Sequence, residues 1–154
     1  MIICQETTIE KYPHQVSFIV NNSYFCGGFI VSEYRFVYFK TTQVPVCSKV
    51  IRTPYHSSVD PKTVVLRAGS TWRRKGTIIP IAEVIPHPKY NQPFLDNDVA
   101  VMKTVDSMTF SETMLPIELP PLGRIIEKGK PLKVSGWGRT KVSFYRNKIK
   151  SYQA

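Results

Sequence analysis

The stretch QVSFIVNNSYFCGGFIV, Gln15 to Val31, decides the fold. Gln15 to Val20 is apolar with partial alternation, the mark of a strand with at least one buried face. Asn21-Asn22-Ser23 follows as a turn cluster, because these short polar side chains hydrogen-bond their own backbone and tolerate tight conformations. Tyr24 to Val31 reads as the returning strand. It holds Gly27-Gly28, and glycine inside a strand marks a bulge or a close approach of other backbone. The unit is antiparallel from its first turn.

The same reading extends outward. Thr63 to Ala68, Thr77 to Ile85, Val99 to Thr104 and Pro131 to Trp137 are further strand candidates, with the polar Ser70 to Gly76 between the first two. The 12 prolines are scattered, which breaks long helices and favours short strands joined by turns. No segment has the spacing of an amphipathic helix. The pattern predicts an all-β chain, an antiparallel barrel or sandwich. Two stretches fall outside it. Tyr38 to Asp60 is polar and irregular, and Thr140 to Ala154 is basic with no strand pattern. Both are expected to be exposed and poorly packed.

At 154 residues the chain can bury the core of one ordinary domain. The net charge of +10 gathers at Arg73-Arg74-Lys75 and in the tail, at Arg139, Lys141, Arg146, Lys148 and Lys150. Such charge permits contact with nucleic acid, anionic membrane or acidic polysaccharide. A solvated loop and a solvated tail account for it without any such partner, so no nucleic acid and no membrane partner is expected. Cys4, Cys26 and Cys47 make an odd set, leaving at least one without an internal partner. They form no CxxC and no Cys/His cluster, so no metal and no cofactor is expected. The start, Met1-Ile2-Ile3-Cys4, is too short an apolar run for a signal peptide, and no stretch is apolar enough to span a bilayer.

Local segments then narrow the fold class. His14-Gln15-Val16-Ser17, Cys26-Gly27-Gly28-Phe29-Ile30, Thr63 to Ser70, Val84-Ile85-Pro86-His87-Pro88-Lys89-Tyr90, Asp96 to Lys103 and Val134-Ser135-Gly136-Trp137-Gly138 occur in that order. Each resembles a segment of the trypsin-like, chymotrypsin-family serine proteases: PWQVS, CGGSLI, the VRLGS strand, VxxHPxY, DxDIALLK and VSGWG. The ordered set is far more specific than any one member. In flavour it is similar to insect trypsin-like enzymes. The resemblance implies Greek-key antiparallel β-barrels. Residues 1–128 would form a nearly complete first barrel with an irregular insert at 38–60. Residues 129–154 would begin a second barrel and end in a basic tail.

The resemblance also implies Ser-His-Asp acyl transfer on protein or peptide substrates, in an extracellular setting. Its residues carry over unevenly. Asp98, third in Asp96-Asn97-Asp98 and just before an apolar strand, matches the carboxylate that orients the catalytic His. The TAAHC segment is missing: Tyr38 to Gln43 stands in its place. His14 and His87 match non-catalytic positions, and nothing in the sequence places His56 within reach of a nucleophile. No GxSxG or GDSG occurs among the 154 residues. The IVGG start that follows zymogen cleavage is replaced by Met1 to Cys4. By the same resemblance Cys26 pairs with a Cys beside the catalytic His, for which Cys47 is the nearby candidate; two unpaired thiols are the alternative. Three functional readings follow: a family fragment with no activity of its own, a non-catalytic homologue that binds a partner, and a basic domain that binds polyanions.

Overall fold

In β2, Gln15–Val20, every residue is buried, although a strand at a surface would bury only alternate ones. Val16, Phe18 and Val20 enter the main core. Gln15, Ser17 and Ile19 face the other way and are covered from outside. A strand enclosed on both faces is the axis around which the remaining elements are placed. The computed structural model describes residues 3–20, 23–39, 64–89, 97, 99–138 and 148–153.

Strand β2 pairs with β3, Ser23–Ser32; Asn21 and Asn22, where the turn is expected, lie outside the described residues. A register shift falls between Phe18 and Ile19. β3 continues into β4, Arg35–Phe39. The next strand, β5, Val64–Ala68, returns to lie beside β2 on its free side. Spatial order β5-β2-β3-β4 is a Greek key. β6, Thr77–Ile79, pairs with β5, and β7, Ile81–Pro86, pairs with β8, Val99–Thr104, which pairs with β4. The single strand expected over Thr77 to Ile85 is therefore two, divided at Pro80, which has no N–H to offer a ladder. Since β6 and β7 are consecutive pieces of chain at opposite ends of the seven-strand order, and β5 also lies against β7, the sheet closes as a barrel.

Burial inside the barrel follows the period of two. Val64, Leu66 and Ala68 alternate with half-buried neighbours in β5, and Ala100, Met102 and Thr104 alternate with half-buried or exposed ones in β8. Met108 and Met114, beyond β8, join the same core.

A second antiparallel sheet has the order β1-β10-β9, with β1 at Ile3–Glu6, β9 at Lys133–Gly136 and β10 at Lys150–Gln153. This corrects the expectation for the tail. Thr140 to Ala154 was to be irregular and poorly packed, yet β10 is the middle strand, bonded on both edges, and Ile149 is 0% exposed. The reason is that β10 takes its order from two distant segments, so its own polar sequence need not carry a strand pattern. It also supplies β9 with its strand partner. β1, grouped by sequence with the first barrel, hydrogen-bonds in this second sheet. In the other irregular stretch Tyr38 and Phe39 belong to β4; residues 40–60 lie outside the described residues.

Candidate functional site

Asp98, the carboxylate that the sequence resemblance matches to the triad, lies outside the described residues, but both its neighbours are held. Asn97 has φ 54, a left-handed conformation that Asn tolerates better than most residues. Its Nδ2 donates to the carbonyl of Lys89 at 3.2 Å. The N–H of Val99 donates to Asn97 O at 2.8 Å, and that of His87 to Val99 O at 2.9 Å. β8 begins at Val99, so the sequence expectation of a loop-to-strand junction here corresponds to a real strand start. The register pairs Val99 with Phe39, the last residue of β4. The chain leaves β4 there into the stretch that stands where the resemblance would put a catalytic His.

Two histidines, His14 and His87, are among the described residues. His14 is half-buried, and desolvation holds its pKa below the ordinary imidazole value, favouring the neutral ring. Its ring meets Tyr12 edge-on, with centroids 6.2 Å apart. His87, at the end of β7, accepts the Lys89 N–H on Nδ1 at 3.2 Å. His56 and Cys47 lie outside the described residues. Cys26 is buried in the barrel core. Ser17 is 1% exposed, and its Oγ donates to Arg73 O at 2.6 Å, so the hydroxyl is committed to structure. Among the described residues no three His, Cys, Asp or Glu gather as for a metal, and no helix is long and apolar enough to cross a membrane.

Where the two sheets meet, the geometry is well defined, and its polar residues were not singled out by sequence reasoning. Gln15 is buried and bonded at both ends of its amide: Ser135 Oγ donates to Oε1 at 2.7 Å, and Nε2 donates to Gly28 O at 3.0 Å. This links β9 to β2 and β3. Thr71 collects three segments. Its Oγ1 accepts the Ile9 N–H at 3.1 Å. Its carbonyl accepts Trp137 Nε1 at 3.0 Å and the Ile149 N–H at 2.9 Å. Beside it Ile9, Trp137 and Ile149 pack into a second, smaller core with Tyr12 against it. The only advance signal was that Gln15, Ser135 and Trp137 lie inside the segments that carry the family resemblance.

Comparison with known proteins agrees with this geometry. The family model described as Trypsin matches residues 2–153. A trypsin of Phaedon cochleariae is 31% identical over 91% of this chain and 50% of its own length. Trypsin 5G1 of Aedes aegypti is 32% identical over 88% of this chain and 46% of its own length. Both are insect trypsins, in line with the flavour read from the sequence. The chain thus spans about half the length of the curated relatives it matches. Among solved structures, a scabies mite inactivated protease paralogue, S-D1, superposes with a TM-score of 0.77 at 24% identity. The match covers 97% of this chain and 59% of the other, and establishes a shared fold.

Proposed function

Because the chain belongs to the trypsin family, we propose that it is a serine-endopeptidase-family polypeptide whose 154 residues hydrolyse no peptide bond by themselves. The observation that carries this reading is a contrast: the family match runs over residues 2–153, yet neither a TAAHC nor a GDSG segment occurs in them. Family members act on protein or peptide substrates, and that is the substrate class assigned to a whole protein of which these residues form part. Asp98 is the family-equivalent carboxylate. Its task is to hold a His in the right tautomer, and without that His and a nucleophile it behaves as an ordinary acid.

The same proposal places the protein outside the cell. Cys26 is disulfide-bonded, and disulfides persist in oxidising compartments. Cys47 is the partner supported by the resemblance.

The test is turnover of Arg- and Phe-type peptide substrates by the purified chain, beside active trypsin, with labelling by a serine-directed phosphonate. No turnover above buffer and no label are expected. Even the residual rate of a triad mutant rests on an oxyanion hole and a substrate pocket, which the family builds partly from the missing GDSG segment. Turnover that co-purifies with the chain and disappears in His56→Ala or Asp98→Asn would overturn the proposal.

A further inference from the structure

The chain that joins the barrel to the second sheet is exposed from Glu118 to Val134. Leu122 is 106% exposed, Ile125 87% and Ile126 61%. Two turns divide it. The Arg124 N–H donates to Pro121 O at 3.1 Å, and the Lys130 N–H donates to Glu127 O at 3.3 Å. Gly123 and Gly129 supply the left-handed residue of each turn, at φ +81 and +90, and a Cβ at either would meet nothing within 4 Å. These glycines serve the turns and not close packing. Between the turns, Arg124 to Glu127 belongs to no strand. A segment with so few contacts opens at little cost, and such segments are where chains are nicked.

An endopeptidase that takes its substrate as an added strand needs free main-chain groups and a side chain that fills its pocket. That requirement selects within the connection. Leu119 and Lys130 precede prolines, which lack an N–H and restrict the residue before them. Leu122 and Lys128 lie inside the turns. Lys133 is in β9, paired with β10. Ile125 and Ile126 are β-branched and stiff. Glu127 is engaged by Lys130 at 3.0 Å. Arg124 is exposed, long and unbranched, and it opens the free stretch. Its cation suits a pocket floored by a carboxylate. In the barrel, Arg35, Arg67 and Lys103 are held in strands.

A cut after Arg124 leaves the barrel and β1 in one piece and β9 and β10 in the other. Many contacts cross between the pieces. The β1–β10 ladder has four residue pairs. Ser135 donates to Gln15, and Trp137 and Ile149 donate to Thr71 O. The Thr7 N–H donates to Ile149 O at 3.1 Å. Trp137 and Ile149 share the smaller core with Ile9. Cys4, Cys26 and Cys47 all precede residue 124, so no disulfide can join the pieces. Packing and hydrogen bonds alone hold them. The cut also turns an intramolecular pairing into a bimolecular one, so the second sheet becomes separable.

We propose that the Arg124–Ile125 peptide bond is a processing site for an endopeptidase that cleaves after arginine, and that residues 1–124 and 125–154 then persist as an assembled two-chain protein. The step is hydrolysis. One water adds across the C–N bond, leaving a carboxylate on Arg124 and an ammonium group on Ile125, with no other reactant.

The test is brief digestion of the whole chain with a small amount of trypsin, followed by mass spectrometry of denatured samples and gel filtration of native ones. The first products should be 1–124 and 125–154, and they should elute together at the position of the intact chain. They should separate in detergent without reductant. Arg124→Gln should slow the first cut about tenfold or more, because the pocket loses its charged hydrogen-bond partner. Lys128→Gln should leave the rate unchanged. Chymotrypsin and a glutamate-specific endopeptidase, matched for activity on short peptides, should cut the connection more slowly. Ile149→Ala should let 125–154 dissociate from the cut protein. Arg124 and Lys128 are exposed, and near-ultraviolet circular dichroism checks that each variant keeps its fold. A first cut elsewhere, a rate indifferent to Arg124→Gln, faster cutting by either comparison enzyme, or pieces that part at once on native gel filtration would each overturn the proposal.

Discussion

The barrel and the three-stranded sheet are built from the same kind of antiparallel ladder, but they stand on very different cores. Among the described residues, the barrel core joins fifteen buried side chains, from Val16 to Met114. The second sheet has Ile9, Trp137 and Ile149, with Tyr12 against them. What the sheet lacks in apolar burial it replaces with directed hydrogen bonds to the barrel: three on Thr71 and one between Ser135 and Gln15. A three-stranded sheet needs a substantial apolar face for independent stability, and this one has only a small core. The barrel therefore determines the sheet, and the dependence should not run the other way.

Phe18→Ala tests the stronger half. Phe18 is fully buried at the centre of β2, with Cys26 and Leu66 as its cross-strand partners. The cavity should cost ~3–5 kcal/mol, a large part of the ~5–15 kcal/mol that holds a domain together. Urea denaturation with hydrogen exchange should show both sheets losing protection together. A second sheet that kept its protection would reverse the ranking of the two regions.

Ile149→Ala should act on one region only. It removes a side chain from the smaller core, at a cost of ~2–5 kcal/mol for a large-to-small change. Exchange should accelerate in β1, β9 and β10 while β2 and β5 stay protected. Acceleration in β5 as well would mean that the sheet braces the barrel through Thr71. Ser135→Ala is the mildest change. It leaves the buried Gln15 Oε1 without its donor, a loss of ~1–3 kcal/mol, read as a lower denaturation midpoint with slope unchanged. Ser135→Thr keeps the hydroxyl and should keep the midpoint.

Legibility in the sequence divides along the same line. β2, β3, β5 and β8 could be read because each is a short, largely apolar run bounded by polar or turn residues. β10 could not. Lys150-Ser151-Tyr152-Gln153 carries no apolar alternation, and its place depends on pairing with β1 and β9, which lie far away in sequence. β1 was hidden for the same reason, since Met1 to Cys4 reads as a replaced activation end and only the ladder makes Ile3 to Glu6 a strand. The break between β6 and β7 was signalled by Pro80, within a run otherwise continuous in pattern. At the candidate site, Asp98 is an expectation from its neighbours in sequence, and it lies outside the described residues. The inter-sheet ties through Gln15 and Thr71 were not legible, because a buried polar side chain looks like an exposed one until its partner is known.

The connection between the two regions has a consequence for the protein as a material. From Leu119 to Val134 the chain is exposed throughout, and it includes Leu119, Leu122, Ile125, Ile126, Leu132 and Val134. An apolar ribbon of this kind is adhesive, while a net charge of +10 keeps molecules of the same kind apart. Long-range repulsion and short-range stickiness together govern colloidal behaviour: the chain should stay dispersed in dilute buffer and cluster as added electrolyte shortens the reach of its charge.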